Sequence, residues 1–209
     1  MEILMLVQGA AATIAFVLLS GCAGDAAPSP ASSDASLRSE LLRRVTQDQA
    51  IRDTVMGSMR NAAGIPDSAI ARRMRAVDAD NTAWLMRVAG PGNWFTTKRV
   101  GRDGMEAAFL LLQHSDSSVQ NQLLPTIERS FVAGEVSGQE FALLSDRVAT
   151  SFGRLQAYGT QADIKDGRVL FHPIEDSIGV DGRRAKKGMM PLREYAAFLD
   201  SLYVRRPSR

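Results

Sequence analysis

A lone cysteine at the end of an apolar run limits which part of this chain can enter a folded core. The run extends from Ile3 to Leu19, and Ser20-Gly21 then lead into Cys22, the one cysteine of the 209 residues. This segment resembles a bacterial lipoprotein signal peptide, in which the cysteine is diacylated and the chain is cut just before it. We therefore expect residues 1–21 to be removed, Cys22 to be lipidated, and no internal disulfide to form.

Two other interpretations of the apolar run stay open. Its length is marginal for a membrane span of about 20 residues, so it could instead be an uncleaved N-terminal anchor. It could also be a secretory signal that is cut elsewhere, with Cys22 incidental. A signal peptide ordinarily starts with basic residues, whereas here the start carries Glu2 and no Lys or Arg precedes Arg38. Ala23, rather than Asp, follows the cysteine, which by analogy with enteric bacteria predicts the outer membrane, facing the periplasm.

The segment after Cys22 predicts a tether followed by one domain. Residues 23–33 are mostly Ala, Ser, Pro and Gly, which have little to bury, so residues 22–35 are expected to form a flexible acylated tether. Residues 36–209 are enough for a single domain with its own core. The formal charge of +2 is too small for a nucleic-acid binder. The expected partners are a membrane, reached through lipidated Cys22, and an unknown small molecule or envelope component.

Apolar residues recur every three or four positions through most of the domain, as in amphipathic helices. Two strand-like segments flank Lys165-Asp166-Gly167, which is typical of a β-hairpin turn. The predicted fold is mainly α, a compact bundle of about six to seven helices with one small β-hairpin near the C-terminal end. The expected helices cover residues 37–63, 67–89, 104–114, 117–133, 138–152 and 191–204, with a turn or short helix at 96–100 and strands at 159–164 and 168–174.

Two local signals refine this prediction. Ser137-Gly138-Gln139-Glu140 matches the capping box that begins a helix. The helix over residues 104–114 is apolar on nearly every side, which predicts that it is buried.

Polar side chains interrupt the apolar faces of four predicted helices. Burying such groups costs free energy unless they satisfy one another. They are therefore expected to converge, either around a pocket or as an internal brace. The interrupting groups are Asp48, Gln49 and Arg52; Asp78 and Asn81; Gln113, His114 and Asp116; and Asp146 with Arg147.

These residues fall into short motifs whose number and order resemble an uncharacterised bacterial family, a domain of unknown function. The resemblance extends from about Leu37 to Tyr203 and implies a shared domain without an established activity. The segment from Gly90 to Trp94 departs from that family's loop. The motifs are Asp48-Gln49-x-x-Arg52, Val77-Asp78-x-x-Asn81, Gln113-His114-Ser115-Asp116, Leu144-x-Asp146-Arg147, Tyr158-Gly159-Thr160-Gln161, and Val180-Asp181-x-Arg183-Arg184 with the residues up to Tyr195.

His114 is the main candidate for chemistry, since it and His172 are the only histidines. One interpretation makes His114 a general base held by Asp116 or Asp146, with Arg52 or Arg147 gripping an anionic substrate. The other makes it a helix-end residue that bonds a backbone carbonyl and is favoured there by the helix dipole. His172 is expected to be a surface residue.

Other chemistries find little support in the motifs. The chain has no His-x-x-x-His, Cys-x-x-Cys or calcium-loop spacing, no Gly-x-Ser-x-Gly and no glycine-rich phosphate loop. We therefore predict no metal and no cofactor. Tyr158-Gly159-Thr160-Gln161 either lines a cleft beside His114 or orders a turn. The basic run Arg183 to Lys187 is expected on a solvated, mobile loop that could contact anionic lipid or act as a lid.

Three functions stay open at this point. The first is a lipoprotein whose helical domain binds a ligand or partner in a polar cleft. The second is a hydrolase in which His114, with Asp146, performs the chemistry. The third is a structural lipoprotein with the polar set as an internal brace. The expected ligand contacts are Asp48, Gln49, Arg52, Asp78, Asn81, Gln113, Asp116, Arg147, Tyr158, Gln161 and Arg184.

Overall fold

The computed structural model describes residues 30–61, 68–89, 92–165 and 168–203. Cys22, the first part of the expected tether and the Asp166-Gly167 turn lie outside the described residues. Within these ranges, no helix combines the length and the apolar character needed to cross a membrane.

The described chain forms seven helices and one hairpin, which confirms the mainly α fold with a small hairpin near its C-terminal end. The helices are α1 (Pro30–Asn61), α2 (Ser68–Val88), α3 (Thr97–Gln113), α4 (Ser117–Val132), α5 (Gly138–Ser151), α6 (Val180–Ala185) and α7 (Leu192–Tyr203); the strands are β1 (Ala162–Lys165) and β2 (Arg168–Phe171).

The first difference from the prediction is where α1 begins. The helix starts at Pro30, inside the segment expected to be tether. Two contacts across the bundle hold this first part: Arg99 Nε lies 3.0 Å from Asp34, and Arg38 Nε donates to Asp103 at 3.0 Å. The alanine and serine residues that suggested a tether are also compatible with a helix once such contacts are available.

α3 joins two segments that the sequence separates. The turn expected at residues 96–100 and the helix expected from residue 104 run together through Gly101, whose φ of 71° and ψ of 171° are not helical. A Cβ at this position would lie 2.8 Å from Asp103 Oδ1 and 3.2 Å from Arg38 Nε. Glycine is therefore needed both for the left-handed φ and for the close approach of the two side chains.

The centre of the bundle is the second half of α3, as the apolar sequence predicts. α3 packs against α1 and α2, and α4 pairs with α5 to close the other side. Leu111 and Leu112 have almost no exposed surface, and they meet Leu123 of α4 and Leu144 of α5 in one core. Full burial of each leucine stabilises the fold by about 2 kcal/mol.

α5 begins as its sequence signal predicts. The Ser137 hydroxyl accepts from the Glu140 N–H at 3.2 Å, and the Glu140 carboxylate accepts from the Ser137 N–H at 2.8 Å. This reciprocal capping box fixes the start of the helix that carries Asp146 and Arg147.

The hairpin attaches to the helices through its two ends. β1 and β2 are antiparallel, with Ala162 opposite Phe171. The ring of Phe171 stacks on Tyr195 of α7 at 6.2 Å between centroids. The His172 N–H donates to Gln161 O at 3.1 Å, so these two residues lie side by side at the base of the hairpin.

Candidate functional site

A polar cleft of about 390 Å³ opens between the helices and the hairpin. It brings His114, Arg52 and Arg147 around one concavity, which is the arrangement that the cleft interpretations of the sequence require. Its lining consists of Arg52, Met74, Asp78, Gln113, His114, Ser115, Asp116, Ser117, Gln120, Arg147, Thr150, Ser151, Gln161, Ala162, Asp163 and His172.

The end of α3 places His114 at the centre of this lining, with its side chain 4% exposed. Its Nδ1 lies 2.8 Å from Asp48 Oδ2 and 3.0 Å from Asp48 Oδ1. Asp48 is fully buried on α1, behind the ring. The carboxylate therefore fixes the ring orientation and directs Nε2 towards the cleft.

The proton of neutral His114 belongs on Nδ1. Arg52 Nε also lies 2.9 Å from this nitrogen and could donate to it only if Nδ1 carried no hydrogen. A bare Nδ1 would set its lone pair against both oxygens of the Asp48 carboxylate, which is repulsive. With the hydrogen on Nδ1, Arg52 Nε donates instead to Asp48 Oδ2, at 3.3 Å. We therefore assign the Nδ1–H tautomer, which leaves Nε2 as a hydrogen-bond acceptor.

Electrostatics favour neutral His114. Burial lowers its pKa, the charges of Arg52 and Arg147 lower it further, and the hydrogen bond to Asp48 raises it by less. For Asp48, burial acts to raise the pKa, but the hydrogen bonds from His114 and Arg52, together with the charge of Arg52, outweigh burial and hold the pKa below its usual range. An ionised carboxylate behind a neutral imidazole is the arrangement of a positioned general base or of a fixed ligand contact.

Arg52 joins the two acidic groups of this region. Its Nη2 donates to Asp78 Oδ1 at 2.6 Å and to Asp48 Oδ1 at 3.3 Å. The sequence interpretation assigns this charge to an anionic substrate, whereas in the structure it is compensated by two carboxylates. Burial raises the pKa of Asp78 to about 6, and the charges of Asp48 and Asp116 add to this rise while Arg52 opposes it.

Arg147 reaches the cleft from α5. Its Nη1 donates to Gln113 O at 2.8 Å, and Gln120 Nε2 donates to the same carbonyl at 2.9 Å. Gln120 also donates to Ser115 O at 2.9 Å. These bonds satisfy carbonyls at the end of α3, so the turn that carries His114 is held from two helices.

Asp146 does not line the cleft, which corrects its pairing with His114. It is fully buried, and its carboxylate accepts from the N–H groups of Ala157, Tyr158 and Thr160 at 2.8, 3.0 and 2.9 Å. The Thr160 hydroxyl donates to it as well, at 2.9 Å. Burial raises the Asp146 pKa, and these hydrogen bonds act in the opposite direction. Asp146 thus holds the backbone of the Tyr158-Gly159-Thr160-Gln161 motif.

Five predicted ligand contacts also lie away from the lining, and the first of them is Asp48, which is buried behind the His114 ring. Gln49 donates to Asp48 Oδ2 at 2.8 Å from behind, and Asn81 accepts from Arg44 at 2.9 Å. Tyr158 packs its ring on Phe141. Arg184 is buried within α6. These side chains point into the protein rather than into the cleft, and the Asn81 amide nitrogen is buried there without a hydrogen-bond partner.

The basic segment around Arg184 is folded rather than a solvated mobile loop. It forms α6, and Arg184 is 1% exposed. Arg184 donates to Tyr158 O at 2.7 Å and to Met190 O at 2.6 Å, while Lys187 Nζ lies 3.8 Å from the centre of the Phe131 ring. A cation over an aromatic face is stabilised there, so these residues fasten α6 to the bundle.

His172 is the cleft residue that the sequence assigns to the surface. It lies opposite the helices, and its Nε2 is 3.4 Å from Asp163 Oδ2. One sequence signal could have placed His172 at the cleft. It directly follows the second strand of the hairpin, so it lies opposite Gln161, a predicted cleft residue. Within the described ranges, no group of three or more His, Cys, Asp or Glu side chains is arranged to hold a metal ion.

The chain belongs to DUF6624, a family of unknown function, whose profile matches residues 35–206. No curated protein and no solved structure matches it.

Proposed function

We propose that this protein is a bacterial envelope lipoprotein, held by diacylated Cys22, whose helical domain binds a small polar ligand in the cleft. The observation that carries the binding proposal is His114. Its ring is almost fully buried, one nitrogen is taken by Asp48, and Nε2 has no hydrogen-bond partner among the described residues. Nε2 is not among the described atoms that are fully buried without a partner, so it is open to the cleft, where an N–H or O–H of a ligand can donate to it.

The supporting arrangement is rigid. Asp48 fixes the ring from α1 and is itself held by Arg52, and Arg147 with Gln120 fixes the turn that follows α3. Polar groups held in this way lose little conformational entropy when a ligand arrives, which favours specific binding.

The anchor is proposed from the sequence of residues 3–22. Its test is metabolic labelling with a fatty-acid precursor in cells that express the wild-type chain or Cys22→Ser. We expect label in the wild type only. Equal labelling of the two chains contradicts the lipoprotein assignment.

A hydrolase is the second candidate, and the Asp48–His114 contact specifically favours it. A carboxylate on Nδ1 stabilises the imidazolium that forms when Nε2 removes a proton from water. Asp78, whose pKa is raised to about 6, lies in the same cleft and could return a proton to a leaving group. In this candidate the ligand of the cleft is a substrate.

Thermal unfolding of the full chain in a non-ionic detergent tests the binding proposal. Trp84 and Trp94 are buried, so their fluorescence reports unfolding directly. We expect at least one member of a broad set of small polar compounds to raise Tm, since a ligand that binds only the folded state stabilises it. The same compound should not raise the Tm of His114→Gln. A broad set without any stabilising compound contradicts the proposal.

A further inference from the structure

The side chains that line the cleft restrict the chemical class of its ligand. Ligand sites of this size are usually mostly apolar, with a few polar groups. Here the apolar side chains are Met74 and Ala162, and no Phe, Tyr or Trp takes part in the lining. A stacked ring or an alkyl chain would find little surface to bury. The ligand that fits is polar on all sides.

Two carboxylates line the cleft. Asp78 of α2 and Asp116 at the start of α4 both line it, and the charge of Asp116 raises the pKa of Asp78, which shows that the two carboxyls are electrostatically coupled. Asp116 occupies the N-cap position, yet its side chain makes no capping hydrogen bond. Among the described residues, nothing donates to that carboxylate.

Another part of the lining is basic. Arg147 enters from α5, next to the hydroxyl groups of Thr150 and Ser151. Its charge acts on His114, because it lowers the pKa of that ring. The lining thus carries both signs of charge, with Arg147 and Arg52 in the same cleft as Asp78 and Asp116.

We propose, on the basis of the binding function above, that the cleft takes a small zwitterion with an ammonium group and a carboxylate. The ammonium group lies against Asp78 and Asp116, and the carboxylate lies against Arg147 and the neighbouring hydroxyls. His114 Nε2 accepts a hydrogen bond from an N–H of the same ligand. A free amino acid and the end of a short peptide share this chemistry.

Charge discrimination supports this class over simpler ions. A lone anion would place its charge near Asp78 and Asp116, and a lone cation would face Arg147 with Arg52 nearby. Each of these ligands meets a like charge, which costs affinity. A zwitterion satisfies both sides at once.

Thermal unfolding of the full chain with four probes tests this proposal: alanine, alanyl-alanine, acetate and ethylamine, at matched ionic strength. We expect alanine or alanyl-alanine to raise Tm, and the larger shift identifies the free amino acid or the peptide as the better source. Acetate and ethylamine should leave Tm unchanged. The proposal is overturned if neither zwitterion shifts Tm, or if acetate or ethylamine shifts it equally.

Matched variants locate the binding. Asp116→Asn and Arg147→Gln should each raise the Kd of the stabilising zwitterion by about tenfold or more, the equivalent of one lost charged contact. Asp53→Asn and Arg193→Gln remove exposed charges outside the lining and should leave Kd unchanged. If Arg147→Gln does not fold, Arg147→Lys keeps the charge, alters the geometry and should weaken binding. Unchanged Kd in both Asp116→Asn and the Arg147 variant overturns the proposal.

The outcome separates this inference from the binding function on which it rests. If another polar compound from the broad set raises Tm while the zwitterions do not, the binding function stands and the zwitterion is wrong. If no compound at all raises Tm, both fail.

Discussion

Asp48 and Asp146 are both fully buried aspartates on helices, but their carboxylates hold different kinds of partner. The Asp48 carboxylate accepts hydrogen bonds from side chains, namely those of His114, Arg52 and Gln49. Asp146 receives mainly backbone N–H groups from one loop. A carboxylate that binds side chains sets the orientation of functional groups, whereas one that binds backbone sets the path of the chain.

The loop held by Asp146 is also fastened from a second direction, by side chains of α6. Arg183 donates to Ala157 O at 2.7 Å, and Arg184 donates to Tyr158 O at 2.7 Å. The N–H groups of this loop therefore bind α5, and its carbonyl groups bind α6. Two buried polar motifs that look alike in sequence therefore have different roles. Asp146 braces a loop, whereas Asp48 orients a side chain of the cleft.

The largest expected effect follows from removing the brace. Asp146→Ala should lower the free energy of unfolding by about 3–5 kcal/mol, because it leaves several buried donors without an acceptor. Urea denaturation measures this loss, with exposed Asp53→Ala as the control. A loss no larger than that of the control would contradict the role of Asp146 as a brace.

Asp48→Asn should cost less, about 1–3 kcal/mol, because the amide oxygen still accepts from His114 or Arg52 and Arg52 keeps Asp78. The variant should also lower the pKa of His114, since Asp48 raises it in the wild type. Urea denaturation and NMR titration measure the two effects. A His114 pKa that rises in Asp48→Asn would show that the carboxylate does not support the ring.

His114→Gln should change stability by about 1 kcal/mol, since the glutamine amide can still donate to Asp48. Ligand-dependent stabilisation should nevertheless be lost. The comparison of Tm with and without the stabilising compound separates these effects. Retained stabilisation by ligand in His114→Gln would remove His114 from the site.

The smallest effect concerns the pH dependence of Asp78. Its pKa is raised to about 6 in the folded protein, so the folded state holds this proton more tightly than the unfolded chain does. The contribution of Asp78 to the free energy of unfolding is therefore full below its ordinary pKa and is lost as the pH rises to about 6.

Urea denaturation across this pH window, in wild type and in Asp78→Asn, measures that contribution as the difference between the two curves. Asp116→Asn should lower the Asp78 midpoint slightly, because one neighbouring negative charge is removed. A curve for Asp78→Asn that parallels the wild type at every pH would contradict the raised pKa.

Much of the fold follows from the sequence, because apolar spacing and capping signals are local. The capping box at Ser137 and the buried second half of α3 are examples. α6 was missed because its stability comes from distant partners: Arg184 is held by Tyr158 and Met190. No local pattern in its glycine-rich, basic segment reveals such contacts.

The site was predictable in part for the same reason. The sequence identifies polar residues on apolar faces, and His114, Arg52 and Arg147 do converge. It cannot tell which carboxylate reaches His114, because Asp48 lies 66 positions away in the chain and Asp146 occupies an equally buried helix position. It also cannot bring His172 to the cleft, since that depends on how the hairpin docks.

The central claim is that Asp48 holds His114 so that a bare Nε2 meets the cleft. ¹⁵N NMR of the two ring nitrogens tests it most directly. We predict a proton on Nδ1, an unprotonated Nε2 at neutral pH, and a pKa below the ordinary histidine value of 6.5. A proton on Nε2 at neutral pH, or an imidazolium that persists above pH 6.5, would contradict the account.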